Sequence, residues 1–158
     1  MSWRVVCRAR GSFVVINGNS PCGPPATEID EALIRTLVEA FYDRVRQDPE
    51  LGSIFEGAVR DWDNHLVKMC DFWSAILLGT QRFRGAPVAA HARLPQLETR
   101  HFVQWLQVFG EVAHEVCPGP FASAFVAKAQ TIAETLMVSI EGHRRAFTAI
   151  GRDPFDVC

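Results

Sequence analysis

Apolar residues recur at helical spacing along nearly the whole chain after Thr27, and this pattern most constrains its fold. Such spacing places apolar side chains on one face of an α-helix, whereas a half-buried strand alternates apolar and polar residues. No stretch after residue 27 alternates for any length, so the sequence predicts an all-α domain. The first apolar stripe contains Leu33, Ile34, Leu37, Val38, Phe41 and Val45.

Capping and turn residues predict where these helices begin and end. Thr27 followed by Asp30 is a capping-type start for the first helix, and Asp61 caps the second. We interpret "DPELGSIF" (48–55) as a turn-rich connection, and "PGP" (118–120) separates the last two helices. The predicted helices cover residues 27–47, 62–78, 87–94, 98–117 and 121–146.

Length, composition and charge limit the class of protein. The chain has 158 residues, enough for one domain with its own core. Its net charge of −2 offers no positive field for nucleic acid. No apolar run approaches the roughly 20 residues that cross a bilayer. We therefore expect neither nucleic acid nor a membrane as a partner.

The two ends of the chain differ from the folded part. "NGNSPCGPPA" is turn-forming, and the first residues only faintly resemble a signal peptide, with a short, broken apolar core. We predict a flexible extension, or an over-called start site, over 1–26. A folded domain follows over 27–150, and a tail over 151–158.

The cysteines are five and scattered, at positions 7, 22, 70, 117 and 158. The lack of a C-x-x-C pair speaks against a zinc ribbon, and the lack of C-x-x-C-H speaks against covalently attached haem. We interpret them as reduced thiols of a cytoplasmic protein, with a Cys7–Cys22 bridge as the alternative.

A short helix is predicted within "GAPVAAHARLP", where Pro87 and Pro95 bracket about two turns with His91 at the centre. So short a helix is not stable alone in water. A lone histidine on a helix is more often a surface or core residue than a ligand, and aromatic stripes are usually core. Neither feature alone therefore identifies a site.

Four segments together resemble group III truncated haemoglobins: "FYDRV", "DWDNHLVKMCDFWSAILLG", "HARLP" and "HFVQWLQVF". They occur in the family's order and at near-matching spacing, from about residue 27 to about residue 146. The chain also lacks the Gly-Gly pairs that other truncated groups tend to carry. The resemblance implies a globin-like two-over-two helical sandwich around haem b. The long amino-terminal extension and the tail ending at Cys158 depart from the family pattern.

The resemblance also implies roles for single residues. His91 matches the proximal ligand of the haem iron, and a bound haem would order the short helix around it. The other matched positions are Tyr42, His65 and Trp105 on the distal side, Phe55 against the porphyrin and Lys68 toward a propionate. His65 could face the iron, ligate it, or swing out and gate the pocket. His101, His114 and His143 are expected to be structural or exposed.

Elementary chemistry supports these roles. A neutral imidazole is a strong axial ligand, and its second ring nitrogen should donate to a backbone carbonyl. Tyrosine, tryptophan and histidine can donate to a diatomic ligand, which gains negative charge on ferrous haem. Such a hydrogen bond contributes about 1.5–3 kcal/mol, or roughly tenfold to hundredfold in affinity. The sequence thus predicts a tight binder or a reactor, not a carrier.

Three functions remain open from the sequence. The first is haem chemistry on O2, NO, peroxide or nitrite, as an NO dioxygenase or a weak peroxidase in which His65 moves a proton. Its electrons would come from an unidentified reductase, because the chain has no room for a flavin or nicotinamide domain. The second is a non-enzymatic sensor or store in which His65 or the short helix moves. The third is a haem-free helical interaction module.

Overall fold

The computed structural model describes residues 28–149, which form six helices and no strand. The predictions for residues 1–26 and 151–158, for Thr27 and for a Cys7–Cys22 bridge lie outside the described residues. The all-α prediction is confirmed. The helices are α1 (Glu31–Gln47), α2 (Pro49–Ala58), α3 (Trp62–Leu78), α4 (Pro87–Ala92), α5 (Thr99–Val116) and α6 (Gly119–Ala149).

Aspartate caps begin α1 and α3. The Asp30 carboxylate accepts a hydrogen bond of 2.8 Å from the Leu33 N–H, and the Asp61 carboxylate accepts one of 3.0 Å from the Asn64 N–H. A carboxylate at this position satisfies a free N–H and interacts favourably with the helix dipole. Asp30 therefore caps α1, which begins at Glu31 and not at residue 27. The bounds of α3 are the predicted ones.

The segment 48–55 is not a loop, and that prediction was wrong. Asp48 caps α2 by accepting from the N–H groups of Glu50 and Leu51, at 3.0 and 2.9 Å, and Pro49 occupies the first turn. The Gln104 amide of α5 donates to both Asp48 oxygens. Burial alone would raise the pKa of Asp48, but these hydrogen bonds hold it below its usual value. Asp48 and Pro49 are residue types that begin helices as well as turns, and here they begin a short helix.

Other helix boundaries also differ from the prediction by one to three residues. α4 ends at Ala92, two residues before the predicted end. α6 begins at Gly119, inside "PGP", because the Pro118 carbonyl accepts from the N–H groups of Phe121 and Ala122 at 2.9 and 3.1 Å. Pro120 is tolerated there because the first turn of a helix has no partner for its N–H.

The helices pack as two layers. α1 packs against α3 in one layer, α5 against α6 in the other, and α1 against α5 between the layers. This is the two-over-two sandwich that the sequence predicted. α2 adds to the α1 side, and α4 packs on α6. None of the helices among residues 28–149 is both long and apolar enough to span a bilayer.

The apolar core has two clusters. Residues of α3 belong to the first and residues of α4 to the second. The first contains fully buried Phe41, Phe109 and Phe125 together with residues of α3. The second joins α4 to α5 and α6 and contains Ala92, Leu97, Phe102, Ala133, Leu136 and Ile140. Half-buried Leu106 and Ile132 border both clusters. α3 and α4 are thus held by different parts of the core.

A polar network attaches the end of α3 to the start of α1. The buried Ser74 hydroxyl donates to a Glu31 oxygen at 2.7 Å, and Arg82 donates to Ser74 at 2.9 Å and to Glu31 at 2.7 Å. The hydrogen bonds from Ser74 and Arg82 lower the pKa of Glu31. Gly79 is the C-cap of α3, and its φ of 69° lies in the left-handed region that glycine adopts without strain.

Candidate functional site

His91 lies at the centre of α4 with one ring nitrogen already bonded. Its Nδ1 lies 2.7 Å from the carbonyl oxygen of Pro87. Because a carbonyl only accepts, Nδ1–H donates and Nε2 keeps its lone pair. This is the backbone hydrogen bond expected of a ligating histidine, since it sets the tautomer and the ring orientation. The ring is half-buried, with its centroid 6.4 Å from that of Phe102.

Three other predicted residues, Tyr42, Phe55 and His65, meet one another from three different helices. The ring centroid of Tyr42 lies 4.9 Å from that of His65 and 5.6 Å from that of Phe55. The Phe55 and His65 centroids are 6.2 Å apart. Tyr42 is buried in α1, while Phe55 of α2 and His65 of α3 are half-buried. Each pair is arranged edge to face, a favourable geometry for aromatic rings.

Trp62 belongs to this group, although the sequence analysis gave it no role. Its ring lies 5.7 Å from that of His65 and 6.0 Å from that of Tyr42, and the Arg46 guanidinium lies 5.0 Å over it. Trp62 precedes His65 by three residues on α3, so both project from one helix face. That spacing, visible as Trp-x-x-His, was the signal that could have found it.

Trp105 of α5 joins the group through Phe41 and has no ring contact with Tyr42 or His65. Its ring packs edge to face against Phe41 at 5.3 Å and stacks on Phe109 at 5.1 Å. Phe41 in turn lies 5.0 Å from the Tyr42 ring. Trp105 is half-buried, so part of its indole remains accessible beside the core.

Lys68 is exposed, one helical turn after His65. The two residues share a cavity of about 270 Å³ at the α2–α3 connection, together with Arg60 and Asn64. A larger groove of about 580 Å³ between α1, α2 and α5 is lined by none of the predicted site residues. The smaller cavity is therefore the one that bears on this site.

Side chains of this group carry polar atoms without a hydrogen-bond partner among residues 28–149. Nε2 of His65 is buried without a hydrogen-bond partner. Neither the Tyr42 hydroxyl nor the Trp105 indole N–H forms a hydrogen bond with any residue of the described range 28–149. A buried polar group without a partner costs about 1–3 kcal/mol, so the unpartnered Nε2 of His65 calls for an explanation. These atoms form a set suited to a small polar ligand.

Burial determines the protonation of His65 and Tyr42. It lowers the pKa of His65, and the nearby positive charge of Lys68 lowers it further. It raises the pKa of Tyr42. His65 is thus neutral and Tyr42 keeps its proton at neutral pH.

Two other histidines have structural contacts. His101 is buried, accepts from the Glu98 N–H at 2.9 Å and lies 3.2 Å from a Glu50 oxygen, so it completes the cap of α5. His114 is exposed and hydrogen-bonded to the Gly110 carbonyl of its own helix. His143 is half-buried near the end of α6.

Comparison with known proteins identifies the family. The sequence profile of the bacterial-like globins matches residues 29–121. Over 122 residues the chain is 32% identical to Group 3 truncated hemoglobin ctb of Campylobacter jejuni subsp. jejuni, covering 73% of this chain and 96% of that protein. The chain belongs to the group III truncated haemoglobins. As a member of this family it is a haem protein that binds small diatomic ligands such as O2.

The fold agrees with this assignment. The crystal structure of a group III truncated hemoglobin from Campylobacter jejuni matches with a TM-score of 0.69 at 30% identity. The match covers 74% of this chain and 95% of that one.

The residues present fit the haem that the globin family implies. His91 offers an Nε2 lone pair from α4, and the unpartnered Nε2 of His65 belongs to α3. These two helices are held by separate apolar clusters. An imidazole with a free Nε2 and a separate group of polar side chains are a donor set that suits a ligand-binding haem site.

Proposed function

We propose that this truncated haemoglobin holds haem b through His91 and binds O2 or NO beside Tyr42, His65 and Trp105. Phe55 would pack against the porphyrin, and Lys68 would reach a propionate. Because the sequence has no C-x-x-C-H segment, the cofactor would be attached only by coordination and packing. We further propose that it turns over O2 with NO, with electrons from an external reductase.

The set of unpartnered polar atoms carries this proposal. The buried Nε2 of His65, with the Tyr42 hydroxyl and the Trp105 N–H, leaves up to three groups to meet a ligand. A haem, when bound, supplies the iron that takes the ligand and exchanges electrons. The chain's own residues orient the ligand, hold their protons because of burial, and exclude water from it.

The described cysteines support the proposed compartment. Cys70 and Cys117 are free, buried thiols, and burial raises the pKa of both. Free thiols fit a reducing compartment, and we propose that the protein works in the cytoplasm.

Rapid mixing with NO tests the proposed reaction. We expect protein equilibrated with O2 to convert one NO to one nitrate per haem on mixing, leaving ferric haem. The proposed hydrogen-bond donors would keep O2 bound until NO arrives. Stopped-flow absorption follows the ferric form, and nitrate is measured in the quenched sample. Added reductant should then restore turnover. Displacement of O2 by NO without nitrate would contradict the reaction, while haem ligand binding would stand.

A sensor or store is the second candidate, because His65 has a buried, unpartnered Nε2 that could itself ligate the iron. A ferrous spectrum without added ligand distinguishes the two functions. We expect five-coordinate iron, since Tyr42, Phe55 and Trp62 all pack against the His65 ring. A six-coordinate spectrum that is lost in His65→Leu and kept in His114→Leu, a change at an exposed histidine, would favour the sensor instead.

A further inference from the structure

We infer that Arg144 of α6 is a positioning residue for His91. It would fix the backbone that follows α4 and so set the orientation of the proximal imidazole. The inference rests on the proposed role of His91 as the haem ligand.

Arg144 bridges two carbonyls of the α4–α5 connection. Its Nη2 donates to the Leu94 oxygen at 2.6 Å, and its Nη1 donates to the Leu97 oxygen at 3.1 Å. The side chain is half-buried, so these bonds are partly shielded from water. A planar guanidinium offers parallel donors in a rigid arrangement and suits a double contact of this kind.

The bridged segment is continuous with the ligand residue. The Leu94 N–H donates to the His91 carbonyl at 3.1 Å, and the Leu97 N–H donates to the Leu94 carbonyl at 3.1 Å. Residues 91–97 therefore form linked turns, and Arg144 binds two of their carbonyls. Ala92 and Leu97 are buried in the same segment against α5 and α6. A shift of these turns would move the His91 backbone.

α4 has little stability of its own. It has six residues, and its N-cap, Ala86, makes no side-chain capping bond. A helix this short is unstable alone in water. Bound haem would order α4, and the packing of α4 on α6 supplies a second source of order. Arg144 adds hydrogen bonds from α6 to the connection that directly follows α4.

Replacing Arg144 in the haem-loaded protein tests the inference. Arg144→Met removes both donors and keeps much of the apolar stem. We expect about tenfold faster haem dissociation, corresponding to about 1.4 kcal/mol. We also expect the iron–histidine stretching band of the ferrous protein to shift or broaden in resonance Raman spectra. Arg144→Lys, a point donor that cannot bridge two carbonyls, should shift the band to a smaller extent.

Arg145→Met is the matched control, because Arg145 is exposed and, within residues 28–149, pairs with Glu141 of its own helix. It should change neither measurement. A merely structural role for Arg144 would lower the free energy of unfolding without moving the band, and would overturn the inference. An unchanged band in Arg144→Lys would overturn it too, even if Arg144→Met does not fold. Wild-type protein without any iron–histidine band would instead refute the ligand role of His91.

Discussion

His91→Ala should abolish normal haem coordination and lower haem affinity by more than about 100-fold. Loss of only an outer partner of a metal ligand costs about 10–100-fold, so loss of the ligand itself should cost more. The Nδ1–H of His91 donates to the Pro87 carbonyl, which leaves the Nε2 lone pair free to coordinate iron. Titration of the apoprotein with haem, followed at the Soret band, measures the change.

His114→Ala is a closely matched control for this experiment. The Nδ1 of His114 lies 2.7 Å from the carbonyl four residues earlier, the same local geometry as in His91, but the ring is exposed on α5. Its replacement should leave the haem spectrum unchanged. Added imidazole should restore a near-normal spectrum in His91→Ala, because it can replace the missing axial ligand. A normal five-coordinate spectrum in His91→Ala without imidazole would refute the assignment.

The second large effect is expected in the rate at which O2 leaves the protein. Tyr42→Phe and Trp105→Phe should each accelerate O2 dissociation, by about tenfold to 100-fold for each group that donates to the ligand. A hydrogen bond to a charged acceptor contributes about 1.5–3 kcal/mol, and about 1.4 kcal/mol corresponds to tenfold. Stopped-flow replacement of O2 by carbon monoxide gives the rates.

Trp73→Phe is the control for the tryptophan substitution. Trp73 stacks on Phe109, as Trp105 does, but it is buried and also packs on Phe125. It should lower the free energy of unfolding and leave O2 dissociation nearly unchanged. The double variant Tyr42→Phe/Trp105→Phe shows whether the two donors act independently, since independent effects add. Unchanged rates in both single variants would mean that neither group touches the ligand.

The sequence alone predicted the long helices because their signals are local. A stripe of apolar residues at period 3.6 and a capping aspartate such as Asp61 act within a few residues of one another. The short helix around His91 was also predicted, because two prolines limit it. The role of His91 as the proximal ligand stays a prediction that rests on the family resemblance. α2 was missed because ten residues show too little periodicity to outweigh turn-like cap and proline residues.

Only the tertiary structure decided which side chains meet and which polar atoms stay unpaired. Tyr42, Phe55 and His65 come from three helices, and the carbonyls of Leu94 and Leu97 lie 50 and 47 residues from Arg144 in the chain. Local patterns place a residue on a helix face, but the packing of α1 on α3 and of α4 on α6 determines what that face meets. Contacts between distant segments depend on how whole helices pack, and no short stretch of sequence encodes that.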